Sequence, residues 1–340
     1  MAMRCGYCER RCRIASGETG FCRMYTVSKG IIAERFPHRW SACGPGRMEV
    51  FPFYHVYPGS RSLAIGTASC NFRCRYCSNA FIAKEDPDAQ QDRMYHLAPR
   101  ELVAMAQKLS CRSIVFNVNE PTVSIPSLVE VAREAKAAGI PMGCLTNGYM
   151  TVESTEILAS IFSFFNVSLK GISKSFSREY IGTNSLKPVL RNIRRLAQIR
   201  HVEVTSPIVE GANDSEIDAM ADFLAGVDPE IPWHVFRLLP EDEMKDRDYP
   251  SIQAIDAALK SARKRLPYIY FHNFVGSDWV NTICPDCGSI AIERFSLGCG
   301  GDKLNRVLCS EGRCPGCGRP IRLLADKSGA RVKEMVRTWA

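Results

Sequence analysis

The sequence predicts a parallel α/β fold: a partial (β/α)6 TIM-like barrel with a cysteine-rich, metal-binding appendage at each end. Three observations predict it. Six short apolar or β-branched runs alternate with segments whose apolar residues recur three or four apart, the pattern of buried parallel strands joined by covering helices. A cysteine triplet directly follows the first of these runs, at the carboxyl end of a strand, where barrel folds build their sites. The remaining cysteine groups fall at the two ends of the chain, outside the alternating zone.

On this basis the 340 residues divide into three parts: a cysteine-rich segment over 1–60, the barrel over 61–275 and a zinc-ribbon-like segment over 276–340. The candidate strands are 63–67, 113–118, 142–146, 164–169, 202–208 and 234–239. Between them run helices marked by Leu102, Ala106 and Leu109; Leu128, Val131 and Ala135; Val189, Ile193 and Leu196; Ile217, Met220 and Leu224; and Ile252, Ile255 and Leu259. Pro99 and Pro126 stand near helix starts, Ser215 and Asp218 form a capping-box pattern, and Gly139 and Gly226 stand where helices should stop. Six units are too few to close an eightfold barrel. A doubly wound sheet is the alternative, but no GxGxxG follows any strand. The acidic stretch 240–250, PEDEMKDRDYP, reads as a loop after the sixth strand and a lid over the site mouth.

Composition narrows the setting. A hydrophobic content of 46% suits a globular core. No apolar run reaches the ~18 residues a membrane helix needs, and the start MAMRCGYCERRC is unlike a signal peptide, so a cytoplasmic protein is expected. Sixteen cysteines, mostly in CxxC and CxxxC groups of an enzyme-length chain, point to metal ligation in a reducing, oxygen-poor cell rather than to disulfides. The net charge of +8 leaves an anionic partner open. However, Arg191, Arg194, Arg195 and Arg200 on one helix, and Arg263, Lys264 and Arg265 at the end of another, read as solvated faces, which argues against nucleic acid. A regulatory or nucleic-acid-binding zinc protein is the reading from a different class, and it leaves the triplet unexplained.

The triplet is Cys70, Cys74 and Cys77 in TASCNFRCRYCSN. Three thiolates on one loop can hold three irons of a cubane 4Fe-4S cluster and leave the fourth iron open, whereas closed zinc or ferredoxin sites take four ligands. Polar residues at later strand ends converge on the same face: Asn117, Asn119 and Glu120 in NVNEPT; Thr146, Asn147 and Gly148 in LTNGY; Ser168 and Lys170 in NVSLKG. At the amino end, Cys5, Cys8, Cys12 and Cys22 form a four-thiol set that suits zinc, the first choice, or a second iron-sulfur cluster; spacing does not decide between them. At the other end, CPDC (Cys284, Cys287) and CPGC (Cys314, Cys317) are zinc knuckles twenty-six residues apart, with Gly288 and Gly318 supplying tight turns. Cys299 and Cys309, inside that insert, are alternative ligands or plain thiols. Cys111 and Cys144 read as small buried hydrophobes, and Cys43 carries no assigned role. His55, His234 and His272 sit among apolar neighbours as core histidines do. His234 on the sixth strand is kept as a cofactor-pocket candidate, with Arg237 on the opposite strand face.

The triplet, with Tyr76 beside its last cysteine, resembles the signature of the radical S-adenosylmethionine (SAM) superfamily. The ordered set YHVYPGS, CNFRCRYCSN, NVNEPT, LTNGYM, NVSLKG, VTSPIVEGAND and PWHVFRLLP looks like the radical SAM enzyme of the AmmeMemoRadiSam gene system, itself similar to activating enzymes of pyruvate formate-lyase and other glycyl-radical enzymes. The resemblance implies a radical SAM barrel in which SAM chelates the open iron and is cleaved to a 5′-deoxyadenosyl radical that abstracts hydrogen from a substrate. It implies a low-potential reductant such as flavodoxin or ferredoxin, and as an alternative a protein or peptide substrate of the glycyl-radical type. The implied SAM pocket draws on Tyr76 against adenine, Asn119 and Glu120 for the ammonium and Lys170 for the carboxylate; Asn147, Ser168 and His234 are added as candidates from their places on the strands. No catalytic residue is assigned. Two departures stand out: Ser168 replaces the aspartate of a DLK motif, and Glu241 and Asp242 follow LLP where activating enzymes carry a histidine.

Overall fold

The structure, a computed structural model, describes residues 2–298 and 301–325; Cys299 lies outside them. One sheet of eight strands organises the chain: β1 (Ala42–Arg47), β2 (Arg61–Gly66), β3 (Ser113–Phe116), β4 (Met142–Thr146), β5 (Phe164–Ser168), β6 (His201–Ile208), β7 (Trp233–Arg237) and β8 (Ile269–His272). The strands lie side by side in strict chain order. β2 to β8 run parallel, and β1 pairs antiparallel with β2 at the edge.

That order decides between the two candidate architectures. A doubly wound sheet reverses its strand order at a switch point, and this sheet never reverses. Right-handed crossovers between successive neighbours then put every connecting helix on the same face. The helices are α1 (Pro99–Lys108), α2 (Ile125–Ala137), α3 (Val152–Ile161), α4 (Lys187–Ile199), α5 (Ile217–Val227) and α6 (Ile252–Ala262). Each touches the next, forming one outer layer around a sheet wound as a barrel is, without closing. Side chains alternate across the strands: Ile114, Phe116, Phe165, Val167, Val204, Trp233 and Val235 pack under the helices, while their neighbours face inward.

The structure corrects several sequence expectations. Among the described residues the sheet has seven parallel strands, not six. β8, IYFH, is hard to read from sequence because two of its four residues, Tyr270 and His272, are polar-tipped and answer a polar interior. β1, ACGPGR, has little strand propensity, and proline is tolerated there because the strand is an edge. Residues 42–47, assigned by sequence to the amino-terminal segment, thus belong to the main sheet. Cys43 on β1 packs with its Sγ 3.5 Å from Met105 Sδ. Ser215 does not cap α5; it lies in a 3-10 turn, Asp214–Glu216, that leads into the helix, and α5 continues through Gly226. Caps that do form include Thr151 Oγ1, accepting from Ser154 N at 3.1 Å, and Ser251 Oγ, accepting from Ala254 N at 3.2 Å.

The concave side of the sheet is filled by residues 48–57, MEVFPFYHVY. Met48, Phe51, Phe53 and Val56 pack on Val115 and Phe164, and Gly143 has no Cβ because the Phe164 ring occupies that space. Beyond Phe53 the filling turns polar around Glu203, a fully buried carboxylate on β6. It accepts from the backbone N–H groups of Tyr54 and His55, both at 2.9 Å, and pairs with His201 at 3.2 Å and His234 at 2.6 Å. His234 Nδ1 lies 2.9 Å from His272 Nε2, and His272 Nδ1 lies 2.6 Å from Asp302. Tyr54 donates to Asp302 at 2.5 Å, His55 Nε2 lies 2.6 Å from the Tyr270 hydroxyl, and Arg294 donates to Tyr54 O at 2.8 Å.

Burial lowers His55 to about 3 and His234 to about 4, keeping both neutral. Burial alone would raise Glu203, but its histidine partners outweigh it and hold the carboxylate well below the usual range. All three groups take up protons more readily in the unfolded chain: the contribution of the two histidines is full above about pH 6.5 and is lost as pH falls towards 4 and 3, while that of Glu203 is full above about pH 4.5 and is lost only below it. The urea midpoint should therefore decline over those windows. Glu203→Ala, which leaves two backbone donors and two imidazoles without their acceptor, should cost about 3–5 kcal/mol in the same measurement at pH 7.

Candidate active site and metal centres

The loop after β2 carries the triplet across the carboxyl edge of the sheet, and its shape is set by Asn119. Asn119 Oδ1 accepts from Thr67 N at 3.0 Å, while Nδ2 donates to Thr67 Oγ1, Ala68 O and Ser69 O at 3.0, 3.1 and 2.9 Å. The preceding Val118 holds φ at +66°, a left-handed conformation that a β-branched residue adopts only under strain. This turn aims Asn119 back over the loop. Arg73 ties the loop to itself, donating from Nη1 to Cys70 O and Phe72 O, each at 3.0 Å.

Glu120, 1% exposed, stands beneath Cys70. It accepts from Thr122 N at 3.2 Å, from Thr146 Oγ1 at 3.0 Å to each oxygen and from Asn147 N at 2.8 Å. Asn147 Nδ2 donates to Asn71 Oδ1 at 2.6 Å and reaches Cys70 Sγ at 3.6 Å; Phe72 N donates to the same sulfur at 3.4 Å. The acceptor atoms expected to meet an ammonium are thus already used: Asn119, Glu120 and Asn147 make contacts that position the cysteine loop. Asn71, which the sequence offers only as a spacer, lies at the centre of this arrangement.

Lys170 and Tyr76 sit differently. Lys170 Nζ is 5.8 Å from the Tyr76 ring centre, and Lys170 forms no ion pair among the described residues. The Tyr76 hydroxyl is buried with no hydrogen-bond partner. Burial raises the thiols of Cys74 and Cys77, and the charges of Lys170 and Lys84 oppose that rise. Burial and then the Glu120 charge push Cys70 up as well. Ser168 ends β5 half-buried, in register with Thr205, whose buried Oγ1 also lacks a partner.

The acidic loop after β7 is docked rather than loose. Lys84 forms ion pairs with Asp242 and, at 2.8 Å, with Glu243. Glu243 also pairs with Arg75 at 3.3 Å, and its N–H donates to Arg75 O at 3.0 Å. At the far end of the loop Arg237 Nε donates to Pro250 O at 2.7 Å. The loop therefore rests on the cysteine loop at Arg75 and on Lys84 just beyond it. His234, a sequence candidate for the cofactor pocket, is not there: it is fully buried inside the barrel with both ring nitrogens engaged, and Arg237 lies apart from it.

The outer cysteines form two different arrangements. Cys284, Cys287, Cys314 and Cys317 are the one group among the described residues whose ligand atoms all lie within 4.8 Å of one another. Cys284 and Cys317 sulfurs are 3.6 Å apart, and those of Cys287 and Cys314 are 3.5 Å apart. Gly288 and Gly318, at φ +74° and +76°, make the knuckle turns. Cys309 packs against the neighbouring cluster of Tyr54, Tyr268 and Tyr270 outside the quartet. At the amino end Cys5, Cys8, Cys12 and Cys22 line one small cavity but do not gather within 4.8 Å of one another as the other quartet does.

Residues 65–224 match the Radical SAM superfamily. Over 95% of its length this chain is 29% identical to an uncharacterized protein of Methanocaldococcus jannaschii, covering 96% of that protein. It is 28% identical over 188 residues to a GTP 3′,8-cyclase of Haemophilus influenzae, 52% of each chain, so it spans about half of that relative. A putative glycyl-radical enzyme activating enzyme of M. jannaschii is 30% identical over 92 residues, 27% of this chain and 35% of that one. Among solved structures, a domain of a pyruvate-formate lyase-activating enzyme from Bacteroides vulgatus is similar at 21% identity and a TM-score of 0.40, over 47% of this chain and 98% of that one. QueE from Escherichia coli is similar at 14% identity and 0.45, over 69% and 93%. The stretch of this chain that matches the radical SAM superfamily, residues 65–224, is the part that carries the cysteine triplet.

Proposed function

We propose that the protein cleaves SAM reductively at a site-differentiated 4Fe-4S cluster held by Cys70, Cys74 and Cys77, and that hydrogen is then abstracted from a substrate bound at the open carboxyl edge of the sheet. The observation that carries this reading is the three-thiol loop, fixed by Asn119 and Glu120, facing two groups with unused polar capacity, Lys170 and the Tyr76 hydroxyl. Such a donor set fits the group: one buried and two half-buried cysteines, N–H donors on Cys70, and cations close enough to oppose thiolate charge. When bound, the cluster supplies the electron that splits SAM into methionine and a 5′-deoxyadenosyl radical.

The chain's own residues orient and shield. Lys170 is the cation for the SAM carboxylate, and Tyr76 offers an aromatic wall with a hydroxyl at its edge. The docked 242–243 segment covers the Cys77 side and excludes water. A low-potential donor of the flavodoxin or ferredoxin class provides the electron. The Cys284–Cys317 quartet is a structural zinc site, its sulfurs spaced as a tetrahedral ion requires. An activating enzyme acting on a protein or peptide is the second reading, supported by the 92-residue likeness to a putative activating enzyme. Anaerobic co-purification of a stoichiometric partner would favour it.

Reconstituted anaerobically and reduced, the protein should form 5′-deoxyadenosine from SAM, and Cys74→Ala should bring the yield to the enzyme-free background. Lys170→Met should keep its iron and weaken SAM binding about tenfold, the loss of one charge-assisted contact, read by equilibrium binding. Cys317→Ser should remove one zinc per chain, as counted by elemental analysis, and leave the iron unchanged.

A further inference from the structure

The amino-terminal cysteines have a geometry that zinc does not explain. A single zinc ion with ~2.3 Å bonds draws its four sulfurs to within about 4 Å of one another, a grouping close to that of the Cys284–Cys317 quartet. Cys5, Cys8, Cys12 and Cys22 do not gather in this way, yet all four line one small cavity. They are close enough that each of Cys5, Cys8 and Cys12 acts electrostatically on Cys22. The cavity's other walls are mostly apolar or aromatic, including Ile14, Phe21, Tyr25 and Val123, with Arg10, Asn71 and Thr122 as the polar exceptions. Backbone N–H groups reach each sulfur, those of Tyr7, Arg10 and Met24 at Cys5, Cys8 and Cys22 and that of Phe21 at Cys12 Sγ, 3.4 Å away. Four thiols spread around a common apolar space suit the corners of a cubane, where each sulfur meets a different iron.

This cavity also reaches the radical SAM loop. Asn71 and Thr122 form part of its wall, and Asn71 Nδ2 donates to Thr122 Oγ1 at 3.2 Å. The Asn71 side chain contacts the Cys8 thiol on one side, and its Oδ1 lies 3.8 Å from Cys70 Sγ on the other. Asn71 is 1% exposed. Arg10 Nε donates to Asn71 O and ties the two regions together, and the amino-terminal segment is also bound to the loop after β4, where Thr151 Oγ1 donates to Gly6 O at 2.7 Å and Glu9 N donates to Tyr149 O at 3.2 Å. On the outer side, Cys12 and Phe21 also line an open groove of about 450 Å³ with Arg10, Arg178 and Glu9, whose carboxylate is paired with Arg11 and Arg191. Arg10 stacks 3.5 Å above Phe21.

We infer that Cys5, Cys8, Cys12 and Cys22 hold a second, fully cysteine-ligated 4Fe-4S cluster that passes electrons to the Cys70/Cys74/Cys77 site by way of Asn71. One electron from an acidic low-potential carrier docked in the Arg10/Arg178 groove reduces this cluster by one unit of charge. Its transfer inward re-oxidises the cluster and reduces the triplet site by one. The direction of flow rests on the function proposed above; the identity of the metal does not.

The test is iron, sulfide and zinc analysis with Mössbauer spectroscopy after anaerobic reconstitution, on the intact protein and on a variant with Cys70, Cys74 and Cys77 all changed to alanine. About four irons and four sulfides should remain in the variant. Zinc there in place of iron overturns the inference. Should the variant fail to fold, the intact protein decides: about eight irons and one zinc support the second cluster, about four irons and two zincs exclude it. Asn71→Leu should then slow reduction of the SAM-sensitive EPR signal by reduced ferredoxin at least about tenfold with iron content unchanged; an unchanged rate rejects the relay. Eight irons without SAM cleavage would remove the proposed function and leave the second cluster standing.

Discussion

A buried carboxylate inside a barrel is tolerable only when every lone pair is answered, and Glu203 imposes that condition on much of the molecule. Its partners come from β6, β7 and the 48–57 segment, and through His234 and His272 the network reaches β8 and Asp302 of the carboxyl-terminal segment. Removing any one member leaves another charged or polar group without water. The network therefore fixes the 48–57 filling, the segment around Asp302 and the last three strands as one unit. With the lower concave side filled this way, the open polar surface is confined to the carboxyl edge of the sheet.

At that edge the same logic recurs on a smaller scale. Asn119 answers three carbonyl or hydroxyl oxygens and one N–H of the loop that bears the cysteines. Glu120 answers Thr122, Thr146 and Asn147, and Asn147 in turn reaches the first sulfur. Strain at Val118 is retained because these bonds over-determine the turn. The outcome is a thiol triplet held on rigid supports, with Lys170 and Tyr76 left facing it. The acidic loop after β7 completes one wall by pairing with Lys84 and Arg75.

The three cysteine groups differ in what surrounds the sulfur, and that difference separates their roles. The knuckles at the carboxyl end draw four sulfurs to one point between tight glycine turns. The triplet sits beneath cations and amide donors at the mouth of the barrel. The amino-terminal set encloses an apolar space one asparagine away from the triplet. Burial raises Cys8 to about 11 and Cys22 to about 12, so these thiols are neutral unless a metal draws off their protons.

Much of this was legible in the chain itself. Alternating apolar periods marked six of the seven parallel strands, and the spacing of Cys70, Cys74 and Cys77 pointed to the chemistry of the site, because strand period and ligand spacing are local properties. What escaped depends on contacts between distant residues. β8 reads poorly because Tyr270 and His272 answer polar groups supplied by other parts of the chain, and β1 reads poorly because pairing at an edge can override weak propensity. Asn119 and Glu120 look like ligands in sequence, but the fold commits their acceptors to the cysteine loop; His234 looks like a pocket candidate on the sixth strand, but Glu203 and His272 claim both its nitrogens. Residue type and spacing alone determined the barrel and its thiol triplet. Only the tertiary structure decided which polar atoms remain free and which are consumed, since a hydrogen bond is satisfied by whatever group folding brings within about 3 Å of it.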